Sequence, residues 1–501
     1  MITRLDRLLG RVTMYRLVLL VLLALWVIAA VLSLIGVLSF PILGLVLSLV
    51  VAVVAGWVSN RIFALIWRVS PHGESSLVTA LILVFLFFPL PTMESQGMLA
   101  LAVVAANLSK YLLAWRGRHL FNPVAAGAMV VAATGIGGAV WWIATPALFV
   151  PLVLGAALVL HRARAWDIAL PVIVIGVVGT LLKLVSTGAD PLGAGWIALA
   201  SYPYLFLGAF MMSEPLTAPP RRRWRMLVSA IVGLISLIPL NLGALAMSPE
   251  LALLVGNAVA FGFGPRSRVR LTLEAREEHA GGIADLSFVP ERPLRLRPGQ
   301  YLELSIPHRG ADGRGLRRVF SVASAPGASS VRIITRVEER ASSFKQALLA
   351  LKPGTHVAVS AVGGDFTVRG GADELWLANG VGLTPFLAAA DARTARPASG
   401  PTLIWALRAG EDPVWAEPVL RRGGVRVLIV GPESLARQGA LPAGWLYAGT
   451  RVDEHALEIA RPAGRPTHAY VAGSPAFVAS ASRAARSHGV HRVRTDRFIG
   501  Y

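Results

Sequence analysis

Val259-Ala-Phe-Gly-Phe263-Gly-Pro265-Arg-Ser-Arg-Val269-Arg-Leu-Thr-Leu273 joins two different kinds of polypeptide. As far as Phe263 the residues are apolar without alternation. From Val269 every second residue is apolar, the period of a half-buried strand. The contrast extends outward in both directions. Residues 1–264 hold only 16 of the 48 Lys and Arg and 7 of the 28 Asp and Glu, and the other 32 and 21 lie beyond. Across the 501 residues 55% are hydrophobic and 15% charged, whereas a soluble globular chain is about a quarter charged. This excludes a wholly soluble enzyme and predicts a membrane part followed by a soluble part, with the break at Pro265. The absence of cysteine excludes disulfides, Cys-ligated iron–sulfur clusters, thiolate-ligated haem and thiol catalysis. The net charge of +20 does not point to nucleic acid. In the first part topology accounts for the basic residues, and in the second they form no block with interleaved aromatics.

Upstream of the junction, Arg4, Arg7, Arg11 and Arg16 precede an apolar run over 17–38. That run is too long for a signal-peptide core, so it reads as a retained first helix. Further runs lie near 41–58, 76–90, 97–115, 123–134, 141–160, 168–185, 196–212, 226–240 and 249–263, which predicts about ten transmembrane helices. Several are shorter than the ~20 residues that span a bilayer, so re-entrant or broken helices are expected among them. With the N-terminus inside, Arg61, Arg68, Lys110, Arg116, Arg118, Arg162, Arg164, Arg221–Arg223, Arg225, Arg266, Arg268 and Arg270 all fall on the cytoplasmic side. The other side carries Lys183 with Glu94, Asp190 and Glu250. This is the positive-inside pattern, and it places both termini in the cytoplasm of a multi-pass bacterial inner-membrane protein. The outer loops are too short to form a domain.

Downstream, Val269–Leu273, Tyr301–Ile306, Arg318–Val322, Val331–Thr335 and His356–Ser360 alternate and are broken by Pro298-Gly299 and Pro353-Gly354. They predict an antiparallel β-barrel over residues 265–369. From Glu374 the pattern becomes strand–helix alternation, with strands at Leu375–Ala378, Thr402–Leu407, Arg426–Val430 and Ala469–Ala472 and a helix over Pro475–Ser487. That predicts a parallel α/β domain over 370–501. Two motifs carry chemistry. In Arg318-Val319-Phe320-Ser321 a strand places Arg318 and Phe320 on one face. Arg318 can then meet a pyrophosphate while the Ser321 hydroxyl bonds a flavin ring edge; a plain barrel strand is the alternative. In Gly380-Val-Gly382-Leu-Thr384-Pro385-Phe386, glycines let the backbone approach a phosphate where a helix begins, or else make only a tight turn.

Taken in order, these motifs resemble the ferredoxin–NADP reductase-like family, in which an FAD barrel precedes a nicotinamide lobe. The resemblance covers residues 265–501. It implies FAD held by Arg318–Ser321, with Ser342 and Ser343 at its phosphates and Gly364-Asp-Phe366 closing the barrel. NAD(P)H would be held by Gly380, Gly382, Thr384 and Pro385 with Gly473 and Ser474. Ser321 and the terminal Tyr501 become the candidate catalytic residues; Tyr501 either covers the isoalloxazine or packs the lobe. The cysteine this family often carries before the late glycine is Ala472 here, which implies slower or differently aligned hydride transfer.

In the first part, Arg118-His-Leu-Phe121-Asn122-Pro123-Val-Ala-Ala-Gly127, with Lys110 before it, resembles a segment of the RnfD/NqrB family of flavin-carrying respiratory membrane subunits. Ser75–Leu81 and Leu207–Thr217 resemble two more, in the family's order. The resemblance covers about 15–265. It implies a second flavin, FMN or riboflavin, near Asn122 and Thr217. The threonine that carries covalent flavin in those relatives has only a faint counterpart in Thr145, so the second flavin is expected to be non-covalent.

Together the parts predict transmembrane electron transfer: cytoplasmic NAD(P)H to FAD, to a membrane flavin, to an extracytoplasmic flavoprotein or other carrier. A bilayer core of ~30 Å requires a relay. The ten histidines lie in predicted loops or the soluble part, which disfavours haem. A membrane NAD(P)H:quinone reductase and a redox-coupled ion pump are the alternatives. Arg408 fits a 2′-phosphate or a strand end, leaving NADH and NADPH both open. No metal site is expected.

Overall fold

The computed structural model describes residues 12–69, 73–115, 118–242, 245–263, 269–310, 312, 316–337, 341–393, 400–437, 441–460 and 468–498. The chain divides into two compact units, residues 2–266 and 267–501.

The first unit is helical. Its helices are α1 (Met14–Leu34), α2 (Ile42–Ile66), α3 (Gly73–Leu86), α4 (Met93–Leu112), α5 (Pro123–Thr134), α6 (Phe149–Ala163), α7 (Trp166–Ser186), α8 (Pro191–Ala200), α9 (Arg222–Ile235) and α10 (Pro249–Phe263). Every apolar run carries a helix, but ten crossings do not follow. Among the described residues α1, α2, α7 and the stretch Pro146–Ala163 are long and apolar enough to cross a membrane. Helix α8 and Tyr204–Met211, bent by 42°, add a fifth if they form one broken span. The reason is first length: α3, α5 and α10 are apolar but run only 14, 12 and 15 residues, short of the ~20 that span a bilayer. Helices α1, α2 and α7 expose Leu20, Val27, Val31, Val50, Val54, Trp57, Val174, Val178 and Leu182. In α3 every residue from Thr79 to Leu86 is buried. A short helix apolar all round is one enclosed by its neighbours.

Polar side chains join these neighbours. Asn107 of α4 donates to Gly56 O at 3.0 Å, Ser59 Oγ at 2.9 Å and Ser76 Oγ at 3.1 Å, tying α2, α3 and α4 together. Such bonds hold helices where apolar contact alone gives little preference.

Three expectations change here. The run 141–160 does not begin as a helix. The Val140 and Trp141 amides and the Trp142 indole donate to Leu86 O and Val84 O, the otherwise unpaired carbonyl end of α3. Helix resumes only at Pro146. Glu250, expected in an outer loop, is 2% exposed and accepts the Trp141 indole N–H at 2.6 Å. His161 lies in the last turn of α6, not in a loop.

The second unit holds a barrel and an α/β lobe. Barrel strands are β1 (Val269–His279), β2 (Ile283–Pro290), β3 (Tyr301–Ser305), β4 (Arg317–Ser321), β5 (Val331–Arg336) and, after helix α11 (Ser343–Leu349), β6 (His356–Gly363). All pairs are antiparallel in the order β4-β3-β6-β1-β2-β5, and the bridge Val322–Ile333 joins the two outer strands. Leu271, Leu286, Phe288, Leu302, Leu304, Ile333 and Phe344 fill the interior.

The lobe comprises β7 (Glu374–Asn379), α12 (Thr384–Asp391), β8 (Thr402–Ala406), α13 (Glu417–Arg422), β9 (Arg426–Val430), β10 (Leu446–Tyr447), α14 (Glu454–Ile459), β11 (His468–Gly473), α15 (Pro475–Ser487) and β12 (Arg492–Arg497). Its sheet is parallel throughout, in the order β10-β9-β8-β7-β11-β12. Alternate residues feed two cores, one around Trp376, Trp405, Tyr470 and Phe386, the other around Leu377, Ile404, Leu428 and Val478. Phe366 and Ala323 of the barrel belong to the first of these cores, so barrel and lobe share packing.

Candidate functional site

From β7 the chain moves outward to β8, β9 and β10, then returns to place β11 on the other side of β7. In open α/β sheets a ligand crevice forms outside the carboxyl ends of the strands at such a reversal. Two of the segments expected from sequence end there side by side. After β7 the turn Gly380–Leu383 leads into α12, and after β11 Gly473 leads to Ser474, whose hydroxyl accepts the Phe477 amide as N-cap of α15. Gly380 has φ +51 and Gly473 φ +145, both in the region that favours glycine. Gly382 is required by space instead: a Cβ there would lie 2.8 Å from Gly473 Cα and 2.8 Å from Ala472 C. Thr384 is 1% exposed and its hydroxyl donates to Val381 O at 3.1 Å, bracing the turn, with Pro385 buried in the first turn of α12. The two loops meet at backbone contact. Ala472 is wholly buried beneath them.

In the barrel, Arg318 and Phe320 leave β4 on the same side, as the strand period predicts. The Arg318 guanidinium lies 5.3 Å from the Phe344 ring, and Phe320 stacks on that ring at 6.0 Å. Arg318 is 7% exposed and pairs with Asp312 at 2.9 Å. The Asp312 amide donates to Ser343 Oγ at 3.0 Å, and His308 Nε2 lies 3.1 Å from the same oxygen. Ser342 is the N-cap of α11. The cation and the two hydroxyls expected at a pyrophosphate are therefore in one neighbourhood. Val319 and Ser321 leave the strand on the opposite side, with Val319 exposed and Ser321 opposite Tyr301. The Gln300 side-chain amide donates to Gly364 O at 3.2 Å, closing the barrel at the Gly364–Phe366 turn. Tyr501 lies outside the described residues.

Other residues at this place carried no sequence signal. Arg336, at the end of β5, pairs with Glu411 of the lobe, and a Cβ on Gly380 would lie 3.4 Å from the Arg336 guanidinium. The Trp405 indole donates to Gly380 O at 3.1 Å. His279 stacks on Trp415 at 5.5 Å, a second barrel–lobe contact. Arg408, which the sequence offered for a 2′-phosphate or a strand end, is exposed just beyond β8.

In the helical unit the three segments singled out from sequence converge. The Lys110 ammonium donates to Ser75 O at 3.0 Å. The Asn122 side chain caps α5 through Ala125 N at 3.1 Å, and its amide donates to Met211 O at 3.2 Å and Glu214 Oε2 at 2.8 Å. The Asn122 backbone amide donates to Asn257 Oδ1 at 2.7 Å, and His119 lies 3.3 Å from Glu214. Thr217 is buried one turn after Glu214, its hydroxyl 3.4 Å from the Glu214 carbonyl. Asn122 is thus fully engaged in capping and bridging. Thr145 precedes the Pro146 turn, and its buried hydroxyl has no hydrogen-bond partner among the described residues.

No family model matches the chain, and no curated protein matches it. Solved structures do resemble part of it. The flavohem-like FAD/NAD-binding domain of nitric oxide dioxygenase from Vibrio cholerae O1 biovar El Tor is similar over 46% of this chain and 98% of its own, at 18% identity and TM-score 0.37. The cytochrome b5 reductase domain of Ulva prolifera nitrate reductase is similar over 46% and 98%, at 17% identity and TM-score 0.38. A ferredoxin NADP+ reductase from Neisseria gonorrhoeae, with bound FAD and NADP, is similar over 46% and 98%, at 16% identity and TM-score 0.36.

Proposed function

We propose that the chain is a membrane-bound NAD(P)H-dependent flavin oxidoreductase. The observation that carries this is the pair of glycine loops, Gly380–Leu383 and Gly473-Ser474, in backbone contact at the reversal of a parallel sheet, within the unit that also gathers Arg318, Ser342 and Ser343. The residues fit the groups they would hold. Gly380 and Gly382 offer a nicotinamide dinucleotide bare backbone at the turn, and at Gly382 a side chain would push the two loops apart. Arg318 offers a flavin pyrophosphate a guanidinium whose planar fork suits phosphate oxygens. FAD bound there supplies the conversion of a hydride into single electrons.

The chain's own residues do the positioning. Thr384 and Trp405 brace the Gly380 turn, Phe344 fixes the plane of Arg318, and Ser321 offers a hydroxyl from the other face of β4. Ala472 brings no functional group to the nicotinamide side, so alignment rests on backbone contact alone. In the helical unit, the cluster of Asn122, Glu214, His119 and Asn257, with Lys110 and Thr217 nearby, is where a second, non-covalent flavin (FMN or riboflavin) would relay electrons toward an extracytoplasmic acceptor, a flavoprotein or other electron carrier. The cytoplasmic placement of both termini belongs to this reading.

Reconstitution of the full chain in liposomes with entrapped ferricyanide tests it. External NADH or NADPH should reduce the entrapped ferricyanide without added quinone. Reduction only when quinone is added would replace the flavin relay with the quinone-reductase reading, and no oxidation of either nucleotide would overturn the proposal.

A further inference from the structure

Strand β1 changes face part-way along. Val269, Leu271 and Leu273 belong to the barrel interior. A bulge at Glu274 then shifts the pairing with β2, so that Leu273 lies opposite Phe288 but Ala275 lies opposite Ser287. The extra residue turns Ala275 and Glu277 to the outside of the barrel, as a bulge re-aims the side chains beyond it. Glu277 comes to stand directly opposite Asp285. Like charges placed so across a strand pair are destabilising. The same outer face carries Ser287 of β2 and, opposite it, Arg332 of β5.

One step further along that face, Ile283 and Ile334 pack into the core shared with the lobe. Asp285 is paired in register with Ile334, beside this contact, and is only 4% exposed. Arg332 donates to its Oδ2, so one guanidinium serves a face that carries two acids. Asp285 Oδ1 is buried and has no hydrogen-bond partner among the described residues, whereas buried polar atoms are nearly always paired. Ala275, Glu277, Asp285, Ser287 and Arg332 line a cavity of about 110 Å³, room for an ion and several waters. Carboxylate, hydroxyl and water oxygens suit calcium and magnesium rather than softer metals. The Arg332 bond fixes the Asp285 carboxylate by one oxygen and leaves the other to coordinate, the usual way a ligating carboxylate is held from outside.

We propose that this cavity is a binding site for a divalent cation of the calcium or magnesium class, held by Asp285 Oδ1, the Glu277 carboxylate and the Ser287 hydroxyl, with water completing its shell. The ion offsets the repulsion between the two acids and gives the buried oxygen its partner. It ties β1 to β2 on the face of the barrel that carries the lobe. Two acids beside a guanidinium make a weak site, with a Kd on the order of 10⁻⁴–10⁻³ M.

The test uses the full chain in a neutral detergent, stripped of metal with EDTA and dialysed. Calcium chloride, magnesium chloride and sodium chloride are separate probes in calorimetric titration and thermal unfolding. Calcium or magnesium should bind saturably in the stated range and raise the unfolding temperature, and sodium chloride at matched ionic strength should do neither. Glu277→Gln should weaken binding about tenfold or more, since even a partner outside the coordination shell is worth about 10–100-fold. Asp285→Asn should abolish it. If the Asn variant fails to fold with Arg332 unpaired, Glu277→Gln still decides, because Glu277 is exposed. Glu278→Gln, exposed on the other side of β1, should bind as the wild type does. No saturable binding of either divalent ion, an equal effect of sodium chloride, or wild-type affinity in Glu277→Gln overturns the proposal.

Discussion

Gly382→Ala is the sharpest perturbation of the nucleotide loops. The backbone at Gly382 lies outside the left-handed region, so alanine meets no torsional objection; the objection is space. The new Cβ would sit 2.8 Å from Ala472 C and 2.8 Å from Gly473 Cα, both main-chain atoms at the end of β11. That strand is paired on both sides, to β7 and to β12, so it cannot yield as a side chain would. Overpacking of this kind costs about 1–3 kcal/mol, and its relief pushes the two loops apart. A misplacement of about 1 Å in a reacting geometry costs on the order of a hundredfold in rate. The barrel is untouched, so FAD content should match the wild type. In anaerobic stopped flow, NADH and NADPH should bleach the flavin band about a hundredfold more slowly. Gly380→Ala serves as the contrast. Its Cβ has room, 3.4 Å from Arg336, and its φ of +51 costs only about 1–2 kcal/mol. Wild-type bleaching in Gly382→Ala, with stability unchanged, would refute the assignment of these loops.

Arg318→Ala should empty the barrel of FAD and abolish NAD(P)H oxidation, leaving Asp312 without its 2.9 Å partner; full FAD occupancy by absorbance would remove Arg318 from the cofactor site. Asn122→Leu removes a helix cap and the donor to Glu214. It should cost about 2–4 kcal/mol by thermal unfolding, spare reduction of FAD, and block the onward step to entrapped ferricyanide; unimpaired transfer would exclude Asn122 from the relay. Tyr470 is 1% exposed and its hydroxyl finds no partner among the described residues. Burial, with Glu374 adding to it, pushes its pKa above the ordinary tyrosine value. The neutral form is therefore favoured in the folded state, a stabilisation present below about pH 10 and lost as pH rises through the folded value. Tyr470→Phe should unfold at the same temperature or slightly higher near neutral pH and lose less stability above pH 10; a clear loss at neutral pH would show that the hydroxyl is satisfied.

The soluble unit was legible where side chains alternate and where glycine is demanded. Val269, Leu271 and Leu273 announce a strand, and Gly380 and Gly382 announce a turn against another backbone. Strand β2 was not legible, because Ile283-Ala-Asp-Leu286 is buried on both faces and Asp285 is held by Arg332, so no period of two appears. Strand β12, Arg492–Arg497, lies at the sheet edge and is polar almost throughout. In the helical unit, hydropathy registered that α3 and α10 are apolar but not whether that surface faces lipid or protein. The apolar character of Trp141 and Trp142 likewise predicted helix, although both residues serve to close the end of α3. Asn122, Glu214 and Lys110 were visible as polar residues in apolar surroundings. Their convergence, and the part Asn257 plays in it, depends on how four separated segments pack.

The central claim is that the soluble unit holds FAD and reduces it with NAD(P)H. Its most direct test is to purify the chain in mild detergent, precipitate it with acid, and identify and count the flavin in the supernatant and in the pellet. One FAD per chain released by acid, together with FMN or riboflavin, is the predicted result; a preparation with no FAD, which neither refills with added FAD nor oxidises NADH or NADPH, would contradict the account.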